Sequence, residues 1–309
     1  MRFLSFLFLA LFGLASCKSG AEAYLFSYFM GNGQDGLYLA YSNDGETWEP
    51  ISMNRSFLKP TVGKDKLMRD PFIAQGPDGT FHLIWTTGWW DKHIGHATSK
   101  DLINWSEQKA IPVMEQEAEA RNCWAPEMIY HKKEKLWYIY WATTIPGRHT
   151  EVKTSDSEKG LNHRMYYTTT KDFRTFSKTE LFFDPGFSVI DASILEKGGE
   201  FWMFLKNENS NPPEKNIRIT TAGHPTRFPV KVSAPITGDY WAEGPSPLVV
   251  GDKVYVYFDK YTQGKYGAVC SADLKTWEDV SDSIFFPAHA RHGSAFTVKK
   301  KIVTRLLEK

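Results

Sequence analysis

Apolar runs of five or six residues recur along the chain, separated by polar, turn-forming segments. The clearest are Tyr24-Leu-Phe-Ser-Tyr-Phe29, Phe81-His-Leu-Ile-Trp85, Leu136-Trp-Tyr-Ile-Tyr-Trp141, Phe201-Trp-Met-Phe-Leu205 and Val254-Tyr-Val-Tyr-Phe258. They are rich in aromatic and β-branched residues and too short for helices, so they predict strands. Turn signals precede four of them: Gly76-Pro-Asp-Gly79, Lys132-Lys-Glu-Lys135, Lys197-Gly-Gly199 and Gly251-Asp-Lys253. No window of helical length sustains a 3.6-residue period, so the chain reads as all-β.

The strands fall into a repeat. Ser42-Asn-Asp-Gly-Glu-Thr-Trp48 matches Ser99-Lys-Asp-Leu-Ile-Asn-Trp105, Thr170-Lys-Asp-Phe-Arg-Thr-Phe176 and Ser271-Ala-Asp-Leu-Lys-Thr-Trp277. A weaker copy is Thr220-Thr-Ala-Gly-His-Pro-Thr-Arg-Phe228. The closing aromatics are 49 to 71 residues apart, the size of a four-stranded β-meander. The Asp or Gly turns the chain between third and fourth strands, and the aromatic packs between neighbouring sheets. Five such sheets arranged radially make a propeller, which protects its edges. Tyr24 to Phe29 reads as a second strand and His292 to Val298 as a lone first strand. The C-terminus is therefore expected to supply the inner strand of the N-terminal blade and close the ring, giving one five-bladed β-propeller over residues 24–309.

Residues 1–16 read as a signal peptide: Met1-Arg2, an apolar stretch from Phe3 to Ala15, then Ser16-Cys17. Leu14-Ala15-Ser16-Cys17 resembles a bacterial lipobox. That implies lipidation at Cys17, a linker over 17–23, and an exported, membrane-anchored lipoprotein on the periplasmic or cell-surface side. No other stretch approaches the roughly 18 apolar residues of a membrane span. Cys123 and Cys270 lie far apart and read as isolated buried thiols. Lys+Arg 37 against Asp+Glu 36 leaves a net charge of +1, with no electrostatic reason to expect a nucleic-acid partner. The 46 aromatic rings (Trp 11, Tyr 14, Phe 21) call for flat apolar surfaces in a β core, a sugar site or both. The chain is expected to be a monomer.

Each repeat should begin with an inner strand, and all such beginnings converge on one face around the axis. They are Arg69-Asp-Pro-Phe-Ile73, Trp124-Ala-Pro-Glu127, Ile190-Asp-Ala-Ser193, Glu243-Gly-Pro-Ser246 and Arg291-His-Gly-Ser294. Acids at three of them, Asp70, Asp191 and Glu243, would point into one pocket. Small residues or Pro follow, as expected where backbones crowd an axis.

Taken in order and phased with the repeat, these beginnings resemble glycoside hydrolase family 43, over nearly all of the mature chain. The resemblance implies a five-bladed propeller that hydrolyses plant-type glycans with inversion. It implies Asp70 as general base, Asp191 as pKa modulator and orienter, and Glu243 as general acid. Ala192 departs from the Pro that many members carry there. Inversion needs a protonated carboxyl and an ionised one roughly 6.5–9.5 Å apart, with room for a water. Three acids in one pocket would push their pKa values apart, but physics alone does not choose among them. An exo-acting α-L-arabinofuranosidase is the favoured activity. β-Xylosidase, exo-galactanase and endo-arabinanase are alternatives, and so is a glycan-binding propeller without catalysis, against which the three intact acids argue.

Further residues carry two readings each. His292 either helps hold a channel water network, or a Ca²⁺ ion through water, or is a hydrogen-bonded core histidine; no cofactor is required. Trp89 and Trp90, in Gly88-Trp-Trp-Asp91, with Trp124 and Trp241 are candidates for stacking on sugar faces. Trp85 is weighed with them, whereas Trp48, Trp105 and Trp277 belong to the core. Arg69 and Arg291 adjoin the pocket, and Arg69 either holds Asp70 ionised, binds a hydroxyl or is a plain surface charge. Lys206 and Glu208, in Lys206-Asn-Glu208, either contact sugar or belong to a polar loop. Glu127 reads as pocket wall or as a support behind it. His82, His93 and His96 are not expected to share a metal, and Lys299-Lys300-Lys301 reads as a solvated edge. Gly-rich phosphate loops, His-Glu-x-x-His and Cys-x-x-Cys are absent.

Overall fold

The computed structural model describes residues 22–52, 55–152 and 160–309. The segment read as a signal peptide, the expected lipidation site Cys17 and most of the segment read as a linker over 17–23 lie outside them. Among the described residues no helix is long and apolar enough to cross a membrane.

Among the described residues nineteen strands form five small sheets. The first blade holds β1 (Glu22–Phe29), β2 (Tyr38–Ser42) and β3 (Glu49–Pro50). The second holds β4 (Arg69–Gln75), β5 (Phe81–Thr86), β6 (Ile94–Ser99) and β7 (Lys109–Ile111). The third holds β8 (Trp124–His131), β9 (Leu136–Thr144), β10 (His163–Thr170) and β11 (Glu180–Phe183). The fourth holds β12 (Val189–Lys197), β13 (Glu200–Asn207) and β14 (Asn216–Ala222). The fifth holds β15 (Glu243–Val250), β16 (Lys253–Lys260), β17 (Lys265–Ser271) and β18 (Glu278–Asp279). Strand β19 (Arg291–Lys299) pairs antiparallel with β1, from Glu22↔Lys299 to Phe29↔Arg291. The C-terminus thus closes the ring as expected. Strand β1 begins at Glu22, inside the segment read as linker.

The repeated turn has a single construction. Asp44, Asp101, Asp172 and Asp273 each accept backbone N–H groups from two and three residues on, at 2.8–2.9 Å. The hydroxyl of Ser42, Ser99, Thr170 or Ser271 accepts a third, at 2.8–2.9 Å. The residue after each Asp is left-handed: Gly45, Leu102, Phe173 and Leu274 have φ of 79°, 64°, 54° and 59°. The carboxylate replaces the strand partners the turning backbone lacks.

Five apolar clusters fill the five interfaces between blades. Leu25 packs toward the second blade and its neighbour Phe26 toward the fifth. Both faces of each sheet are buried, so strands read as continuous apolar runs, without polar–apolar alternation. Trp85 is fully buried among them and is not a site residue; a Cβ on Gly95 would sit 1.9 Å from its ring. Cys123 and Cys270 are buried free thiols.

Two features differ from expectation. The fourth sheet has three strands among the described residues. The weak repeat copy lacks the turn Asp, and Ser233 and Thr237 hydroxyls, not a strand ladder, satisfy the Ile219 and Ile217 N–H groups. The chain also ends in a helix, α1 (Lys300–Leu307), whose Val303 and Leu306 are buried beside the first blade. Lys299, Lys300 and Lys301 are exposed around its start.

Candidate active site

All five inner strands carry the same one-residue bulge at the same level. Arg69↔Thr86 is followed by Phe72↔Ile84, Trp124↔Ala142 by Glu127↔Tyr140, and Ile190↔Lys206 by Ser193↔Phe204. Glu243↔Asp259 is followed by Ser246↔Tyr257, and Arg291↔Phe29 by Ser294↔Ser27. The second residue of the bulge is Asp70, Ala125, Asp191, Gly244 or His292. The first four have φ of 50°, 45°, 53° and 61°. For Asp70 and Asp191 this left-handed backbone costs roughly 1–3 kcal/mol each, and it aims both carboxylates at the axis. The third residue is left out of the ladder, so Pro71, Pro126 and Pro245 lose no hydrogen bond there.

The bulges open into a cavity of about 330 Å³. Asp70 Oδ2 accepts from Thr86 Oγ1 at 2.7 Å, and its Oδ1 lies 3.3 Å from His292 Nδ1. Burial works against its charge, but the His292 imidazolium, Arg69 and the Thr86 hydroxyl outweigh it and hold the pKa down to about 2. Asp191 Oδ2 accepts the Gly244 N–H at 3.0 Å and lies 3.8 Å from His292 Nδ1. Burial, with the Glu243 and Asp70 charges, raises its pKa despite His292 and Lys206. Burial also disfavours charge on His292, yet Asp191 and Asp70 raise its pKa to about 10, so the ring is an imidazolium at neutral pH.

Glu243 leaves the first bulge position of the fifth blade. Its Oε2 accepts from Lys206 Nζ at 3.1 Å, and its Oε1 faces Arg291 Nη2 at 3.4 Å. Lys206 also pairs with Glu208 at 2.7 Å, and Lys215 holds the other Glu208 oxygen at 2.7 Å. Burial opposes the Lys206 charge, but Glu208 and Glu243 raise its pKa well above the usual range. Arg291 Nε donates to Asp259 Oδ2 at 2.9 Å. Burial and the Glu243 charge push Asp259 up to about 6, against Arg291. The second-strand residues opposite the bulges thus include Thr86, Lys206 and Asp259, and each serves a carboxylate or its cation.

One wall is aromatic. The Arg69 guanidinium lies 4.2 Å above the Trp89 ring, and both Arg69 Nη1 and Trp89 Nε1 donate to Asn32 Oδ1, at 2.7 and 3.0 Å. Trp124 Nε1 donates to the Trp89 carbonyl at 2.9 Å, and the two rings meet edge to face at 5.6 Å. Behind Trp124 stands His163, a neutral ring whose pKa burial lowers to about 4. Opposite, Tyr261 lies under the Lys206 ammonium at 4.7 Å.

Of the expected residues, Arg69, Asp70, Trp89, Trp124, Asp191, Lys206, Glu208, Glu243, Arg291 and His292 line this cavity. Trp90 and Trp241 do not: Trp90 leans on Trp124 at 5.8 Å and Trp241 on Tyr261 at 6.0 Å, both about 40% exposed. Glu127 lies one step below the cavity, where burial raises its pKa to about 8 and Tyr140 donates to it at 3.4 Å. Thr86, His163, Asp259 and Tyr261 were not singled out by sequence. For a Ca²⁺ ion at His292 the ring leaves little room: Nδ1 faces the Asp70 and Asp191 carboxylates, and a Cβ added at Gly244 would lie 2.4 Å from Cδ2 and 2.8 Å from Nε2. What the cavity offers is acid–base chemistry: one carboxylate held ionised, with three further acids (Asp191, Glu208, Glu243) and four cations (Arg69, Lys206, Arg291, His292) around the same space.

The family model described as "Probable glycosyl hydrolase domain", the family-43-related glycosyl hydrolases, matches residues 20–303. An α-L-arabinofuranosidase of Bifidobacterium longum is 24% identical over 160 residues, 46% of this chain. The match spans only 15% of that relative's length. Among solved structures, an α-L-arabinofuranosidase of Lactobacillus brevis superposes with a TM-score of 0.54 at 18% identity, over 69% of this chain and 72% of that one. An exo-β-1,3-galactanase of Phanerochaete chrysosporium gives 0.52 at 14% identity, over 69% and 49%. At these identities the structures speak for the fold.

Proposed function

This chain belongs to the family-43-related glycosyl hydrolases and is a glycoside hydrolase, and from that premise we propose that it is an inverting, exo-acting α-L-arabinofuranosidase. The observation that carries this reading is the cavity. About 330 Å³ is at the small end for ligand sites and suits one sugar ring. The Trp89 and Trp124 wall and the Tyr261 side close it around a terminal residue. The Bifidobacterium relative, named as an arabinofuranosidase, favours that sugar.

In this reading Asp70, kept ionised by His292 and Thr86, takes a proton from the attacking water. Glu243 gives a proton to the leaving oxygen from the other side of the ring. Asp191 acts through both: it shares His292 with Asp70, and its charge bears on Glu243. Lys206 and Arg291 hold the Glu243 carboxyl in place. Export and a lipid anchor at Cys17 would set the enzyme where plant oligosaccharides arrive.

The test is a panel of 4-nitrophenyl α-L-arabinofuranoside, β-D-xyloside and β-D-galactosides, with the first-formed anomer read by NMR. Turnover of the arabinofuranoside with inverted product is expected. Turnover confined to xyloside or galactoside overturns the sugar assignment, and retained configuration overturns the mechanism.

A further inference from the structure

Strand β8 starts at the active-site cavity with Trp124 and ends, roughly 23 Å away, with His131. The hairpin that follows carries Glu134, and His224 stands just after β14 of the neighbouring blade. Strand direction puts all three on the propeller face opposite the active site. His131 Nδ1 lies 3.2 Å from Glu134 Oε2, and His224 Nε2 lies 3.0 Å from Glu134 Oε1. The three donor atoms all fall within 4.8 Å of one another. Nitrogen and oxygen ligands about 2.0–2.2 Å from a tetrahedral zinc ion sit roughly 3.3 Å apart. Each histidine nitrogen already stands at nearly that spacing from a Glu134 oxygen.

A second observation points to a ligand. His131 is only 8% exposed, yet its buried Nδ1 has no hydrogen-bond partner, because the 3.2 Å approach to Glu134 lacks the angle for one. Buried ring nitrogens are ordinarily paired, and this one lies within 4.8 Å of a donor atom from each of the other two residues. The outer contacts of a metal site are also in place. His224 Nδ1 accepts the Thr226 N–H at 3.3 Å and lies 3.0 Å from Thr226 Oγ1, contacts that fix the ring with Nε2 turned to Glu134, where a metal ion would take the place of the Nε2 proton. The Tyr138 hydroxyl donates to Glu134 Oε2 and orients the carboxylate. Glu134 is the most exposed of the three, which leaves a fourth position open to water.

We propose that His131, Glu134 and His224 form a zinc site that clasps the third blade to the fourth. Two imidazoles and one carboxylate suit Zn²⁺ and disfavour Ca²⁺, which wants six or more oxygens. The other histidine–carboxylate group among the described residues, His149 with Glu151 and Asp184, is not equivalent. There Arg164 already sits on both carboxylates, with Nη2 3.5 Å from Glu151 and Nε against Asp184.

The experiment uses tag-free protein stripped with chelator, titrated with ZnCl₂ by calorimetry and followed by thermal unfolding. One equivalent should bind, with Kd on the order of micromolar or tighter, and raise the Tm. CaCl₂ should do neither. Co²⁺ should give the visible absorption of a tetrahedral site. In His224→Gln and Glu134→Gln, whose side chains reach solvent, zinc affinity should fall tenfold or more while glycosidase activity without zinc stays at the wild-type level. No saturable zinc binding, or equal affinity in both variants, overturns the site. His131→Asn adds a third arm, and its failure to fold would leave the other two variants decisive.

Discussion

His292 Nδ1 stands 3.3 Å from Asp70 Oδ1, and the two hold each other charged: Asp70 down to about 2, His292 up to about 10. In the wild type the acid limb of kcat/KM is therefore set by some group other than Asp70. In His292→Asn the cation is gone, burial dominates at Asp70, and its pKa rises. The acid limb should move to higher pH, with kcat down about tenfold or more. Stability follows the same pair. The depressed Asp70 contributes above its ordinary value of 3.8 and loses that contribution as pH falls through about 2. The raised His292 contributes fully below 6.5 and loses it as pH rises through about 10. The Tm gap between wild type and variant should be widest between pH 4 and 6.5 and shrink outside that window. An unmoved acid limb would mean that His292 does not govern Asp70.

Glu243 is the only acid of the three at a first bulge position, and it is the one held by two cations, Lys206 and Arg291. Glu243→Gln keeps the shape and removes the transferable proton. On an unactivated arabinoside kcat should fall by roughly 10²–10⁴, and on a 2,4-dinitrophenyl leaving group far less. Steady-state rates on the two substrates check this. Equal losses on both would assign the proton donor elsewhere.

How far the site was legible depends on which strand a residue occupies. Asp70, Asp191 and Glu243 sit at inner-strand beginnings, where the repeat phase and the following Pro or small residue mark the place. Asp259 and Thr86 sit at the far ends of second strands. Only the bulge register puts Asp259 opposite Glu243 and Thr86 opposite Arg69, and a bulge leaves no composition signal of its own. Trp241 was picked and Tyr261 missed for a related reason: both belong to the fifth blade's mouth, and loop geometry alone decides which ring faces inward. Helix α1 escaped because its eight residues, with Ile302, Val303, Leu306 and Leu307 as the apolar positions, are too short a window to sustain a period. The ring closure was legible because one strand was missing at the start and one was spare at the end.

Lys206 is fully buried between Glu208 and Glu243. Lys206→Met removes its charge and leaves those two carboxylates with Lys215 and Arg291 as their nearest cations. Breaking such a buried network should cost about 3–5 kcal/mol. Urea denaturation of Lys206→Met and of Lys206→Met/Glu208→Gln separates charge from packing. The double variant should regain much of the stability but little kcat, because Glu243 still lacks its Lys206 contact. A single variant as stable as wild type would remove Lys206 from the network that holds Glu243.

Gly244 carries the fifth-blade bulge at φ 61°, and a Cβ there would lie 2.4 Å from His292 Cδ2. Gly251 has the same φ of 61°, yet a Cβ there meets nothing within 4 Å. The two positions separate backbone strain from contact. Gly251→Ala should lose roughly 1 kcal/mol from left-handed strain and keep full activity. Gly244→Ala adds overpacking of about 1–3 kcal/mol and must push the His292 ring off its place between Asp70 and Asp191. Its activity should fall, with the acid limb moving to higher pH as in His292→Asn, because Asp70 loses the same neighbour. Thermal unfolding and pH–rate profiles of both variants check this. Equal stability losses with unchanged profiles would show that the Gly244 backbone does not hold His292 against Asp70.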